Sequence, residues 1–91
     1  MTATRRSSLK ELQTIPGVGP SIAANLWKLG IRSVADLRDG DPEAIYRALE
    51  KREGGPVDRC ALYVLRCAVY YASHKTHSPE KLKWWNWKDK A

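Results

Sequence analysis

Residues 12–31 read LQTIPGVGPSIAANLWKLGI, two apolar-patterned segments separated by a proline and two glycines. Pro16 disfavours helical geometry at Ile15, and Gly17 and Gly19 permit positive φ, so any helix arriving from the N-terminal side ends here. Pro20 suits the first position of a new helix, where a missing N–H is not needed. The spacing predicts that helix from Pro20 to about Leu29. Ile22, Ala23, Leu26, Trp27 and Leu29 supply its apolar residues, and Gly30 closes it. The turn either only reverses the chain or also aims backbone N–H groups at an anion.

Working outward, Ser8 can cap a short helix from Leu9 to about Thr14, with Glu11 completing a capping box. Residues 1–7, with Arg5 and Arg6, read as a flexible basic arm, and residues 8–91 as a single domain. On the other side, Ser33 and Asp36 form a second capping box ahead of Val34 and Leu37. Asp41 caps and Pro42 opens DPEAIYRALEKRE, whose Ile45, Tyr46 and Leu49 share one face. GGP at 54–56 is a loop. VDRCALYVLRCAVYYAS follows, apolar on nearly every side, with Arg59 and Arg66 sharing one wet face. Such a helix is buried inside a domain or at a subunit interface. Ser78 and Pro79 start a last segment that runs into a tryptophan-rich tail. No strand-like alternation occurs. The expected fold is all-α: a compact bundle of five or six short helices around a central apolar one.

The 91 residues suit one domain, small enough to bury only roughly 60–70 % of its unfolded surface. A composition 43 % hydrophobic and 29 % charged fits a folded soluble chain and excludes wholesale disorder. No apolar run reaches the roughly 18 residues of a membrane span, and no secretory signal pattern is visible, so a cytoplasmic location is expected and no membrane partner. Cys60 and Cys67 lie on one predicted helix, about 10 Å apart along its axis. That is too far for a disulfide, and both read as small buried apolar residues.

The net charge of +6 is unevenly spread. Residues 1–33 carry five basic and one acidic side chain, residues 34–59 five and seven, and residues 60–91 six and two. Positive ends around a slightly acidic middle suit a polyanion-binding face if the fold brings the ends together. The same charges equally suit a solvated surface.

No catalytic or metal constellation emerges, and no cofactor is expected. His74 and His77 are spaced for one helical face, but KTHSP reads as a loop. Cys67 and His74 stand too far apart along a helix to act as a nucleophile pair. Asp36 and Asp41 are explained as helix-end residues. The chain reads as a non-enzyme.

The pattern LxxIPGVGPxxAxxL, carried by Leu12, Ile15, Gly17, Val18, Gly19, Ala23 and Leu26, resembles the helix–hairpin–helix motif. The glycines leave the turn bare, Val18 points inward, and Ala23 allows close helix crossing. The first turn of the new helix offers free N–H groups with a positive dipole end behind them. Together these make a backbone anion site. Members of that motif family hold a DNA backbone phosphate without reading bases. The resemblance implies the same for Gly17, Val18, Gly19 and Ser21, with Arg5, Arg6, Lys28 and Arg32 as electrostatic support. Many DNA-binding versions carry Lys or Arg where this chain has Ser21. Over residues 9–89 the chain also looks like the small bacterial pathogenicity-locus family, most specifically in VDRCALYVLRCAVYYA and KWWNWKD.

KLKWWNWKDK interleaves Trp84, Trp85 and Trp87 with Lys81, Lys83, Lys88 and Lys90. Such a tail can stack unpaired bases while its lysines contact phosphates. It can clasp a partner protein. It can also fold onto the domain's own core, the reading expected for at least two of the three rings. The expected function is weak, sequence-independent binding of double-stranded DNA through the Gly17–Ser21 hairpin. The alternative is an interaction module in which the hairpin only packs, with an unidentified protein or a second copy docking on the apolar helix or the tail.

Overall fold

In a computed structural model, which describes residues 4–88, the turn at Ile15–Gly19 separates two helices as the residue pattern requires. The first three residues of the expected arm, and Lys90 of the tail, lie outside the described residues. Helix α1 spans Arg5–Leu12 and α2 Pro20–Lys28; α3 spans Pro42–Glu53 and α4 Arg59–Ser73. Three 3₁₀ turns complete the order, Val34–Leu37 between α2 and α3, then Glu80–Leu82 and Trp84–Trp87 after α4. The chain is all-helical, with no strand among the described residues. There are four α-helices rather than five or six. The segments opened by Ser33 and Ser78 are too short to propagate an α-helix and close as 3₁₀ turns.

Helix α1 begins earlier than Ser8 suggested. Thr4 is the N-cap: its hydroxyl accepts the N–H of Ser7, and the Ser7 hydroxyl accepts the N–H of Thr4. This reciprocal pair satisfies the first donors of the helix. Arg5 and Arg6 therefore lie in the first helical turn. Ser8 falls on the buried face with Leu12. Glu11, released from capping, accepts the N–H of Val34 at 2.6 Å and ties α1 to the first 3₁₀ turn. At Ser33 the box is also rearranged: the Ser33 hydroxyl accepts the N–H of Asp36, but the Asp36 carboxylate accepts from Arg32.

The reversal is a β-turn, closed by donation from the N–H of Val18 to the carbonyl of Ile15. Pro16 occupies its second position and Gly17, at φ +86°, its third, the geometry of a type II turn. Ile15 and Val18 are both buried and anchor the turn to the core. Gly30, at φ +91°, ends α2. There the N–H of Gly30 donates to Trp27 and that of Ile31 to Leu26, a Schellman arrangement that satisfies the last carbonyls.

Helix α4 is central, as its nearly unbroken apolar pattern implies. It packs against α3, the Val34–Leu37 turn and both C-terminal 3₁₀ turns, while α1 pairs with α2. Leu62, Val64, Leu65 and Ala68 of α4 join Leu12, Ile15, Val18, Ala23, Leu26, Leu37, Tyr46 and Leu49 in one core. Each fully buried leucine contributes roughly 1.5–3 kcal/mol. The Tyr46 hydroxyl donates to the carbonyl of Val57, pinning the loop between α3 and α4. The radius of gyration is 12.5 Å, near the value of about 12 Å for a compact domain this long.

The two cysteines are free and differ in environment. Cys67 is buried, as expected, but Cys60 is exposed, because it lies in the first turn of α4 beyond the core layer. Burial pushes the Cys67 thiol up. The adjacent Asp58 carboxylate, as hydrogen-bond acceptor, does the same for Cys60. Both therefore stay protonated at neutral pH, and reactivity follows access. Iodoacetamide at pH 7 should modify Cys60 slowly in the folded protein and Cys67 only at the rate of unfolding. Mass spectrometry of a Cys60→Ser variant checks this: rapid single labelling of the folded variant would contradict the burial of Cys67.

Candidate functional site

The surface built by the Ile15–Gly19 turn begins with unspent backbone donors. Among the described residues no hydrogen bond takes up the N–H groups of Gly17, Gly19, Ser21 or Ile22. Gly19 is the N-cap of α2 and offers no side chain, Pro20 occupies the first position, and no acidic residue stands in the first turn. Nothing lies within 4 Å of where a Cβ of Gly19 would be, so the approach is open. An arrangement of free donors at the positive end of a helix can accept an anion.

Val18 plays another part in the turn. Its N–H is spent on Ile15 and its side chain is buried, so it shapes the turn and offers no donor. Ile22, not singled out from the sequence, contributes the donor Val18 withholds. Its position three residues after the Gly19 cap is the signal that would have found it.

The basic residues gather elsewhere. The Arg5 guanidinium sits 5.3 Å and that of Arg32 4.1 Å from the Trp27 ring centroid. This cluster, with exposed Lys28 beside it in sequence, marks the far end of α2. Ser21 and Lys28 are about 10 Å apart along the helix axis. Arg6 is exposed and shares a shallow cleft of about 470 Å³ with Arg5, Leu9, Lys10 and Gln13. Donors and cations thus occupy opposite ends of one helical pair.

The tryptophan tail divides. Trp84 packs partly buried on the core, and its Cδ1 lies 2.8 Å from the point a Cβ of Gly17 would occupy. Trp87 donates its indole N–H to the carbonyl of Lys81 at 2.7 Å and lies tilted 5.7 Å from Tyr70. Trp85 stands edge-to-face on Trp84 at 5.8 Å and is 49 % exposed. Two rings turn inward and one outward. Arg66 does not remain on a wet face: it donates to the carbonyl of Trp87 and pairs with Glu43 at 2.7 Å, fastening the tail to α3 and α4.

Two hollows flank the tail. One, about 390 Å³, opens between α2 and the start of α4, with Gly17, Ser21, Asn25, Asp58, Cys60 and Trp84 in its lining. Asp58 caps α4, and accepting the N–H of Cys60 holds its carboxyl below the usual range. The other, about 420 Å³, is lined in part by Arg66, Tyr70, His74, Lys81 and Trp87. His74 packs on Tyr70, whereas His77 stacks on Tyr71 and hydrogen-bonds its carbonyl. The Tyr70 ring also meets the edge of His77 at 5.7 Å, so it lies against both histidines. Among the described residues no three His, Cys, Asp or Glu side chains come together as a metal set. No helix among them is long and apolar enough to cross a membrane.

Comparison with known proteins places the chain. A model of the pathogenicity locus family matches residues 5–91. The protein belongs to that family. It is also 32 % identical over 77 residues, 85 % of this chain and 70 % of the other, to the mitomycin resistance protein McrB of Streptomyces lavendulae. No solved structure matches.

The two glycines of the turn should respond differently to alanine. Gly17→Ala meets both an unfavourable positive φ and the Trp84 ring, each costing about 1 kcal/mol or more. Gly19→Ala meets neither and should change stability by less than about 1 kcal/mol. Urea unfolding checks the pair, and equal midpoints for the two variants would refute the contact with Trp84.

Proposed function

We propose that this protein is a non-catalytic nucleic-acid-binding module. In this reading α1, the turn and α2 form a helix–hairpin–helix that holds duplex DNA by a backbone phosphate, weakly and without sequence preference. The observation that supports it best is the set of unspent N–H groups at Gly19, Ser21 and Ile22 at the open start of α2. Backbone donors read a phosphate and carry no base information, so binding is sequence-independent. The Arg5, Lys28 and Arg32 end of the pair lies about 10 Å along α2. It adds long-range attraction and reaches phosphates further along the duplex. Dissociation constants on the order of 10⁻⁴ to 10⁻⁶ M at physiological salt follow for such a contact.

A protein–protein role finds less support. The apolar residues of α4 are consumed by its neighbours within the chain. Trp85 is left as the exposed large apolar side chain of the described residues. Self-association through the α4 face would therefore require the tail to lift off.

Gly19→Asp separates binding from folding. Aspartate is a favourable N-cap and there is room for it, yet its carboxylate occupies the phosphate position with like charge. Fluorescence anisotropy with a labelled blunt duplex should show salt-sensitive binding by the parent. The variant should bind at least about tenfold more weakly at unchanged thermal stability. Equal affinities would remove the turn from the mechanism.

A further inference from the structure

We propose that the preferred ligand is a duplex carrying an unpaired extension: the turn grips a phosphate of the duplex while the first unpaired base stacks on Trp85. This rests on the reading of the turn given above. It starts from a contact that unites two separate parts of the chain. Trp84 abuts Gly17, and Trp85 stands on Trp84 with ring centroids 5.8 Å apart and planes at 87°. The exposed indole therefore lies one aromatic ring beyond the turn, on a surface continuous with it.

That indole is exposed by construction. The Trp84–Trp87 turn around it is clamped by the Trp87 indole N–H on the Lys81 carbonyl. Arg66 on the Trp87 carbonyl and Asn86 on the Glu80 carbonyl, both at 2.8 Å, hold it further. A ring presented at 49 % exposure on a segment held at so many points is a fixed platform. Aromatic platforms of this kind stack bases of any sequence. The interior of a duplex offers them no free base face, whereas an unpaired nucleotide does.

Charge selects the class of occupant. Lys81, Lys83 and Lys88 stand in the same short segment as the platform, and Glu80 within it pairs with Lys83 at 3.4 Å. The hollow beside Trp84 carries Ser21, Asn25 and Asp58, whose side chains suit the hydrogen-bonding edge of a base turned into it. A cationic, aromatic surface next to a backbone anion site fits a nucleic acid strand leaving a duplex.

The test compares three fluorescein-labelled DNAs at one salt concentration: a blunt duplex, the same duplex with a short thymidine extension, and the extension strand alone. Each is titrated with the parent protein, Trp85→Ala and Gly19→Asp, after thermal unfolding has confirmed that all three fold. The parent should bind the extended duplex about tenfold more tightly than the blunt one. Trp85→Ala should lose that preference and keep its affinity for blunt duplex, while Gly19→Asp loses both. Equal binding of blunt and extended duplex by the parent would overturn the stacking role and leave the turn's role standing. No binding of any duplex would overturn both. Tight binding of the single strand that survives Gly19→Asp would show that the tail acts alone, and a Trp85-dependent dimer without DNA affinity would show that a second copy occupies the platform.

Discussion

At Gly17 one residue answers to two demands at once. Its φ of +86° is what a type II turn requires at that position, and it excludes ordinary side chains on backbone grounds. Its missing Cβ is also what lets the Trp84 ring close on the turn. The first demand reverses the chain between α1 and α2. The second brings the C-terminal tail against the N-terminal helical pair. Ile15 and Val18, buried on either side, fix the turn to the core. The direction of α2, the seat of the tail and the openness of the α2 start all depend on that small volume.

From there the α-helix starts among the described residues are capped by side chains with one gap. Thr4, Asp41 and Asp58 cap α1, α3 and α4 with side-chain oxygens. Helix α2 begins at a glycine followed by a proline, and no side chain covers its start. A buried helix end in that condition would be costly, since unpaired N–H groups lose their hydration. Here Ser21 is exposed and Gly19 faces open space, so water satisfies the donors in the free protein. An anion replacing that water gains hydrogen bonds to charge, which are stronger than neutral ones.

The tail is held by polar ties as well as by its rings. Arg66 joins Glu43 on α3, its own helix α4 and the carbonyl of Trp87. An arginine held this way is pre-organised, because its planar fork meets Glu43 and the Trp87 carbonyl with one rotamer. The residue read as a solvated charge is thus a fastening between the helical bundle and the tail. With the tail seated, its Trp84 ring lies against the turn, at the end of the helical pair opposite Arg5 and Arg32.

The helices and their boundaries at Pro16, Pro20, Gly30, Asp41 and Pro42 were legible because prolines, glycines and caps act locally. The central position of α4 was legible too, since a helix apolar all round has to be covered. The start of α1 was not legible: Ser8 with Glu11 matched a capping box, yet the helix is capped by Thr4. The earlier cap won, and it places Ser8 and Leu12 together on the buried face. The exposure of Cys60 likewise followed from where the core layer ends. The sequence by itself determined an all-helical chain, a bare turn at Gly17–Gly19 and a basic tryptophan tail. Only the tertiary structure decided that Trp84 meets Gly17, that Arg66 holds Trp87, and that Trp85 alone of the tail's rings faces outward. Those contacts join residues far apart in the chain, and no propensity or spacing encodes which distant surfaces will be complementary.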